Sequence, residues 1–303
     1  MNKTSIIFAL SVLLLASCQS ISFEDTETNN SSTKGSKTMY FKCTGFSMTN
    51  MDTDHYDDGE STRATSNNIQ NATDHLLLGV YTMDGKLLDT LTYQSKNDPD
   101  IPYGTFSRTL EYGKYTILAL GWNGSQQCNV HRLDSITFSE GWVPNTFLCR
   151  QNIIVNEAYS NTRTLTLKRC IARFILNFKD TNIPQELSEF IINISGAGNT
   201  LNSETRYCAQ QEDFSRSIPV DIDPANLKKI TTYCFLPADS TSVSINIAAI
   251  GTQGETITER TFTEVPMKIN YSTSYTGNFF PISEFSGSVS FEIDFDGEYN
   301  YNF

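Results

Sequence analysis

Three histidines are the side chains of this sequence best suited to metal binding or to proton transfer near neutral pH. They are His55, His75 and His131. A zinc hydrolase would carry two histidines in the pattern HExxH, and a serine hydrolase would carry its nucleophile in a GxSxG turn. Neither pattern occurs in the sequence. We therefore expect no metal, no cofactor and no enzymatic activity.

An acidic loop at residues 51–68 is the other stretch with metal-binding side chains. Asp54, Asp58 and Gly59 match the spacing of a calcium-binding loop, but Thr65 stands where such a loop needs a bidentate glutamate. A solvated surface loop is therefore the better prediction. Glycoside hydrolysis would need two carboxylates held together in space, and nothing in the sequence indicates such a pair.

The acidic composition restricts the partners of the chain. With 22 Lys and Arg against 34 Asp and Glu, the formal net charge is −12. Nucleic acids and anionic lipid surfaces are bound mainly through Lys and Arg, so neither is an expected partner. The length of 303 residues exceeds the usual size of one domain, about 100–200 residues, and predicts two domains.

The N-terminus carries a signal for export. Lys3 precedes an apolar run at residues 6–15, which is too short for a bilayer that needs about 20 residues. The LASC stretch that follows resembles the lipobox of bacterial lipoproteins, whose cysteine is acylated once the signal peptide is removed. This resemblance implies a signal peptide at residues 1–17 and a lipid anchor on Cys18 in the outer membrane. The alternative is an ordinary signal peptide with a coincidental cysteine.

Residues 18–37 are polar, rich in Ser, Thr and Asn, and without periodicity. This composition predicts a flexible tether. Its FEDTE stretch resembles the acidic patches that direct some Bacteroidales lipoproteins to the cell exterior. That resemblance implies a surface-exposed protein.

Beyond the tether, the apolar pattern is that of strands. Residues 39–46 alternate, residues 113–122 are apolar on both faces like a central strand, and residues 242–251 alternate again. Asp84-Gly85 separates two apolar runs as a tight hairpin turn would. Helical periodicity is absent apart from one turn near residues 184–190. The pattern predicts an all-β chain of β-sandwiches.

The inward face of the pattern shifts by one residue at Lys168 and Arg169. Such a slip moves every side chain to the opposite face, so a bulge or a change of sheet must lie there. We interpret it as the boundary between an N-terminal sandwich at 38–167 and a C-terminal sandwich at 168–303.

Six cysteines remain after Cys18, and their even number in an exported chain permits disulfides. They are Cys43, Cys128, Cys149, Cys170, Cys208 and Cys234. Buried free thiols are the other interpretation, because Cys43 alternates with Met39 and Phe41 on one strand face. Cys170 is expected to share a face with the apolar residues Ala172, Phe174 and Leu176. Both interpretations remain open.

Four segments stand in an order that resembles the fimbrillin superfamily of Bacteroidales. They are LLLGVYTMDGKLLDTL, SRTLEYGKYTILALGW, RTLTLKRCIARFILNFKDTNIP and TERTFTEVPMKINYSTSYTGNFF. The resemblance implies two tandem transthyretin-like β-sandwich domains that act as anchor, stalk or tip of a pilus and assemble by strand exchange. Ile269 stands where the family pattern has a basic residue, and the final strand lacks the Trp often found there, so the subunit class stays open.

The resemblance also implies two segments that take part in strand exchange. Proteolysis at Arg63 would release the strand at 39–46. The C-terminal segment alternates apolar residues and would either serve as a donor strand or pack on its own chain. Its residues are Val289, Phe291, Ile293, Phe295, Tyr299, Tyr301 and Phe303.

The function expected from these features is that of a lipid-anchored fimbrial subunit of the anchor or accessory type, at the cell surface, with other fimbrial subunits as partners. One alternative is a stalk or tip subunit released from its lipid by proteolysis. Another is a surface lipoprotein that binds a glycan or a host ligand by aromatic stacking. The aromatic residues considered for that role are Trp122, Trp142, Tyr103 and Tyr112.

Overall fold

The computed structural model of the chain describes residues 35–45, 69–280 and 298–302. Within these residues the fold is all-β, with eighteen strands, one single-turn α-helix and two short 3-10 turns. The predicted all-β sandwich class is confirmed. The described part of the chain contains no helix with the length and apolar character of a membrane span.

The N-terminal half contains ten strands in two sheets and a hairpin. The strands are β1 (Ser36–Thr44), β2 (His75–Thr82), β3 (Thr92–Ser95), β4 (Thr105–Glu111), β5 (Gly113–Trp122), β6 (Cys128–Arg132), β7 (Ser135–Phe138), β8 (Thr146–Val155), β9 (Thr162–Thr166) and β10 (Lys168–Arg169). Helix α1 (Ile69–Ala72) precedes β2, and a 3-10 turn (Ser139–Gly141) follows β7. The first sheet has the order β4-β1-β9, and the second has the order β10-β8-β5-β2-β3, with β6 and β7 as a separate pair.

The first core lies between these two sheets. Alternate residues of β1 enter it, and Met39, Phe41 and Cys43 are each at most 3% exposed, whereas Tyr40 between them is 45% exposed. Ile117 of β5 meets them from the second sheet. The period-2 pattern of the sequence therefore became a half-buried strand, as predicted.

The C-terminal half contains eight strands in two further sheets. The strands are β11 (Ala172–Phe178), β12 (Leu187–Ser195), β13 (Phe214–Pro219), β14 (Lys229–Cys234), β15 (Ser240–Gly251), β16 (Thr256–Lys268), β17 (Ser272–Gly277) and β18 (Glu298–Asn302). A 3-10 turn (Pro224–Asn226) lies before β14. The third sheet has the order β14-β11-β17-β18 and the fourth has the order β13-β12-β15-β16. The second core lies between them and is rich in aromatic rings, among them Phe174, Phe190 and Phe279.

The two halves share one strand arrangement. In the first sheet, β1 pairs antiparallel with β4 and parallel with β9. In the third sheet, β11 pairs antiparallel with β14 and parallel with β17. An inner strand of each of these two sheets, β1 or β11, therefore has one antiparallel and one parallel neighbour. No fixed-period repeat in the sequence indicates this correspondence.

The chain changes sheet at the place where the apolar pattern shifts. Strand β9 belongs to the first sheet, Lys168 and Arg169 pair with β8 in the second sheet, and β11 begins the third sheet. The predicted change of sheet is confirmed, and the domain boundary drawn there stays a prediction. The face predicted for Cys170 is wrong, because Cys170 and Ile171 lie in a third core, whereas Ala172 lies in the second core.

The third core joins the halves. The outer face of the second sheet contributes Leu118 and Trp122, and the β6–β7 hairpin contributes Ile136. Leu201 and Phe235 enter from the C-terminal half. Ile136 and Leu201 also exchange backbone hydrogen bonds of 2.9 and 2.8 Å, so the contact is both apolar and hydrogen-bonded.

Three other local predictions have clear outcomes. The turn at Asp84-Gly85 is confirmed, with Gly85 at φ 84° and the N–H of Thr82 donating to the carbonyl of Lys86 at 2.9 Å. Strand β5 is central and buried along most of its length, as predicted. At 184–190, one hydrogen-bonded turn leads directly into β12, so no helix forms there.

Truncation of Phe41 tests how much the first core depends on β1. We expect Phe41→Ala to lower the free energy of unfolding by about 3–5 kcal/mol, because it leaves a cavity in a closed core. The matched control is Tyr40→Ala on the opposite face, with an expected loss below about 1 kcal/mol. Urea unfolding of both variants measures the difference. Equal losses would contradict the placement of the β1 faces.

Candidate functional site

Strand β1 is inserted into the first sheet with both of its backbone edges in use. It pairs with β4 from Ser36 to Lys42 and with β9 from Tyr40 to Thr44. These two neighbours have no pairing with each other among the described residues, since the sheet order is β4-β1-β9. The first sheet is therefore continuous only through β1.

Further contacts hold β1 at its middle, near its end and near its start. The N–H of Tyr40 donates to the carbonyl of Asn161 at 2.7 Å, and the N–H of Cys43 donates to the carbonyl of Gly104 at 2.8 Å. Near the start of the strand, the ammonium of Lys37 donates to three backbone carbonyls of one loop at 2.5–3.2 Å. Those carbonyls belong to Asn156, Glu157 and Tyr159. If β1 left, it would expose two unpaired strand edges and an apolar groove.

Strand β18 occupies the edge of the third sheet. It runs parallel to β17, in a register that sets Tyr299 opposite Thr273 and Tyr301 opposite Tyr275. Among the described strands it has a single neighbour, in contrast to β1. In the structure, the C-terminal strand therefore pairs with its own chain.

The remaining residues predicted for lipidation, cleavage and strand donation lie outside the described residues. They are Cys18, Arg63, Val289, Phe291, Ile293, Phe295 and Phe303. The described chain ends β1 at Thr44 and resumes with α1 at Ile69, so Arg63 belongs to the connection between them. The roles proposed for these residues therefore remain predictions from the sequence.

The aromatic residues considered for glycan stacking fall into two groups. Trp122 is 3% exposed in the third core, where its indole N–H donates to the carbonyl of Gln126 at 2.8 Å, so Trp122 is not available to a sugar. Tyr103 and Tyr112 pack against the first core. Trp142 lies at the surface, in a cleft next to β13, and is the one of the four that remains suited to stacking.

This cleft contains a residue that the sequence reading missed. Arg216 is only 6% exposed and its guanidinium carbon lies 3.8 Å from the centre of the Trp142 ring. In the FSRSIP stretch it occupies the inward position between Phe214 and Ile218. A basic residue at an inward position was the available signal, because buried arginines require a partner.

The histidines and cysteines of the described residues show no metal arrangement. No group of three or more metal-binding side chains occurs among them. His75 stacks on Trp122 with ring centres 5.3 Å apart, and His131 is exposed. All six cysteines present are free thiols. Burial raises the pKa of Cys43, Cys128, Cys170 and Cys234 to about 12 each.

Comparison with models of protein families assigns the chain to a family. A family model matches residues 143–303, just over half of its length, and carries the description of a family of unknown function, DUF6562. The chain belongs to the DUF6562 family. The match covers the end of the N-terminal half and the whole C-terminal half, including Arg216 and β18. A search of curated proteins finds no match to this DUF6562 member.

Several solved structures resemble this DUF6562 member. A candidate adhesin from Bacteroides ovatus aligns at 11% identity and a TM-score of 0.46, covering 74% of this chain and 77% of its own. Polysaccharide-binding candidates from Bacteroides thetaiotaomicron align at 13% and 0.44, covering 73% and 79%. The fimbrial anchor protein Mfa2 from Porphyromonas gingivalis aligns at 12% and 0.39, covering 75% and 82%. At these values, the function must be argued from the residues of this DUF6562 member itself.

Thiol labelling tests the burial of β1. A pKa near 12 instead of 9 lowers the thiolate fraction of Cys43 about a thousandfold at pH 8, and the thiolate is the reactive form. We expect a maleimide to label the half-buried Cys149 and Cys208 of the native protein first, and Cys43 only after unfolding or loss of β1. Mass spectrometry of peptides from timed reactions measures the order. Early labelling of Cys43 would contradict a stably inserted β1.

Proposed function

We propose that the chain is an anchor or accessory subunit of a surface filament, held to the outer membrane by acylated Cys18 and joined to neighbouring subunits by strand pairing. One observation carries the proposal. The predicted tether enters the folded body directly as β1, a central strand with two ladders and three buried side chains. A lipid on this end would therefore hold the whole body.

The two ends of the described chain differ in how readily they could be exchanged. Release of β1 breaks two ladders and uncovers the sites of Met39, Phe41 and Cys43 in the first core. Emptying such apolar sites costs several kcal/mol, on the order of 3–5 for a phenylalanine alone. Release of β18 breaks one parallel ladder of five residue pairs. The C-terminal strand is thus the exchangeable one while the chain remains uncut.

Strand addition explains how such a segment would join a neighbour. An added strand gains affinity from main-chain hydrogen bonds and specificity from alternate side chains that enter pockets. The C-terminal segment alternates Val289, Phe291, Ile293 and Phe295 with polar residues, and continues into β18. We therefore assign it the donor role, with pairing to its own β17 as the state before assembly.

The second candidate function is that of a stalk or tip subunit. Cleavage at Arg63 would separate β1 and its lipid from the covalent chain, because Arg63 lies between β1 and α1. The emptied groove between β4 and β9 would then accept a strand from a neighbour. The continuity of the first sheet through β1 favours this candidate, since it makes replacement of β1 necessary once β1 is lost.

Replacement of Cys18 tests the anchor. We expect Cys18→Ser to abolish acylation and to move the protein from the membrane fraction to the soluble fraction. The reason is that the acyl chains on Cys18 would supply the affinity for the membrane. Cys208→Ser is the matched control and should leave the distribution unchanged. Mass spectrometry of the mature protein should find acylated Cys18 at its N-terminus. An assembled protein that starts at Ala64 would instead support the stalk or tip candidate.

Removal of the C-terminal segment tests the donor role. We expect a chain without residues 289–303 to reach the membrane but to form no heat-sensitive oligomers with neighbouring subunits, which would otherwise appear as a ladder of bands in gel electrophoresis of unheated samples. A synthetic peptide of residues 289–303, added in excess to the intact chain, should compete with the formation of these oligomers.

The Arg63→Ala variant is tested in the same way. It should form the same band ladder as the wild type if the protein is an anchor. If Arg63→Ala lost the band ladder and the truncated chain kept it, the exchanging strand would be β1 and not the C-terminal segment.

A further inference from the structure

Arg216 is a buried cation without a carboxylate partner among the described residues. It belongs to the edge strand β13, and its side chain reaches across to β14, where its Nη1 donates to the hydroxyl of Thr232 at 3.2 Å. Its Nε has no hydrogen-bond partner in the described part of the chain. Burial lowers the pKa of Arg216 to about 10, so the side chain still carries its charge at neutral pH. A guanidinium has five N–H donors, and most of those of Arg216 are unused.

Trp142 fixes the plane of this guanidinium. The indole lies directly after the 3-10 turn at Ser139–Gly141 and stacks on Arg216 at 3.8 Å. Stacking covers one face of the guanidinium and leaves its in-plane N–H groups directed sideways. The pair therefore presents a set of donors with a defined orientation.

The cleft around this pair has the size and mixed lining of a small-molecule site. Its volume is about 480 Å³, within the usual range of about 300–1,000 Å³ for such sites. Ile191 and Pro219 contribute apolar surface, and Ser215 and Ser217 contribute hydroxyls, of which that of Ser217 already donates to the carboxylate of Glu189. An aromatic ring beside apolar carbon and hydroxyl groups suits a polyhydroxylated ring, which presents both C–H and O–H groups.

Glu140 narrows the chemistry of the ligand. This exposed carboxylate lines the same cleft and has no ion-pair partner in the described part of the chain. A carboxylate only accepts hydrogen bonds, whereas Arg216 and the indole N–H of Trp142 only donate them. A phosphate dianion would satisfy the donors and repel Glu140. A molecule with one carboxylate and several hydroxyls would satisfy both sides of the cleft.

We propose that the cleft between Trp142 and β13 binds a uronic acid residue of an acidic polysaccharide, with Arg216 paired to the sugar carboxylate and Glu140 accepting from sugar hydroxyls. The carboxylate would accept from N–H groups of Arg216 that its contact with Thr232 leaves unused, at the part of the side chain that lines the cleft. This site is separate from the strands β1 and β18. It would give the body a ligand of its own, independent of filament assembly.

Tryptophan fluorescence of the full chain tests the proposal. The sequence has two tryptophans, and the buried Trp122 leaves Trp142 as the reporter that a ligand can reach. We expect saturable fluorescence change with oligogalacturonate, and none with the neutral oligosaccharide of the same length. Raising the salt concentration should weaken binding, because a charge pair contributes to it. Equal binding of both sugars, or binding of neither, would overturn the role of Arg216.

Variants followed by calorimetry separate the site from the rest of the surface. We expect Trp142→Ala and Arg216→Gln each to weaken oligogalacturonate binding at least tenfold. The matched control is Tyr159→Ala, which removes an exposed aromatic ring (49% exposed) that does not line the cleft and should bind as the wild type does. Because Arg216 is buried, Trp142→Ala at the surface keeps the test valid if Arg216→Gln does not fold. Tight binding of inorganic phosphate by the wild type would overturn the assignment to a sugar acid.

Discussion

The double pairing of β1 is the interaction on which the first sheet depends. Within the part of the chain that the structure describes, β4 and β9 are joined only through β1, so the ladder that each forms with β1 requires β1 in place. The same strand closes the first core with Phe41, which is fully buried. Hydrogen bonding and apolar burial therefore fail together if β1 leaves. A groove emptied of β1 would present two unpaired strand edges, to which another strand could add.

The third core extends this dependence to the whole body. Leu118 and Trp122 of the second sheet face the C-terminal half, where Leu201 and Phe235 meet them. The second sheet thus has a core on each of its faces, which is why β5 is apolar on both. A change in the first core has a short path of packed side chains to the C-terminal half. Arg169 adds a polar link, since it donates to Asn145 and to Asn270 at 2.9 Å each.

The alternation of side chains was enough to predict the strands, because which face a residue occupies depends only on its position within its own strand. β1 and most of β15 bury residues at a period of two, β5 is buried on both faces, and the slip at Lys168 and Arg169 marks a real change of sheet. Partner choice was beyond local pattern, because the parallel pairing of β1 with β9 joins residues more than a hundred positions apart. Cys170 shows the same limit. Its neighbours along the strand pattern lie in the second core, and it lies in the third, because the chain turns between sheets at that residue.

The candidate cleft could be predicted only in part. An arginine between Phe214 and Ile218 at an inward position is visible in the sequence, but its stacking partner Trp142 comes from a different half of the chain. The face of Trp122 was equally undetermined, since a tryptophan suits both a core and a binding surface. Sites assembled from two halves of the chain require the tertiary structure, whereas strand faces do not.

The position of β1 also has a mechanical consequence. Any pull on the segment before Ser36 enters the body at the first residue of this strand, next to the point where Lys37 binds three backbone carbonyls. When that force acts along the strand, the rungs of both ladders share it and must shear at the same time. A strand at a sheet edge, pulled away sideways, would open one rung after another. The segment before Ser36 therefore joins the first sheet at the strand that has a ladder on each side to resist a steady load.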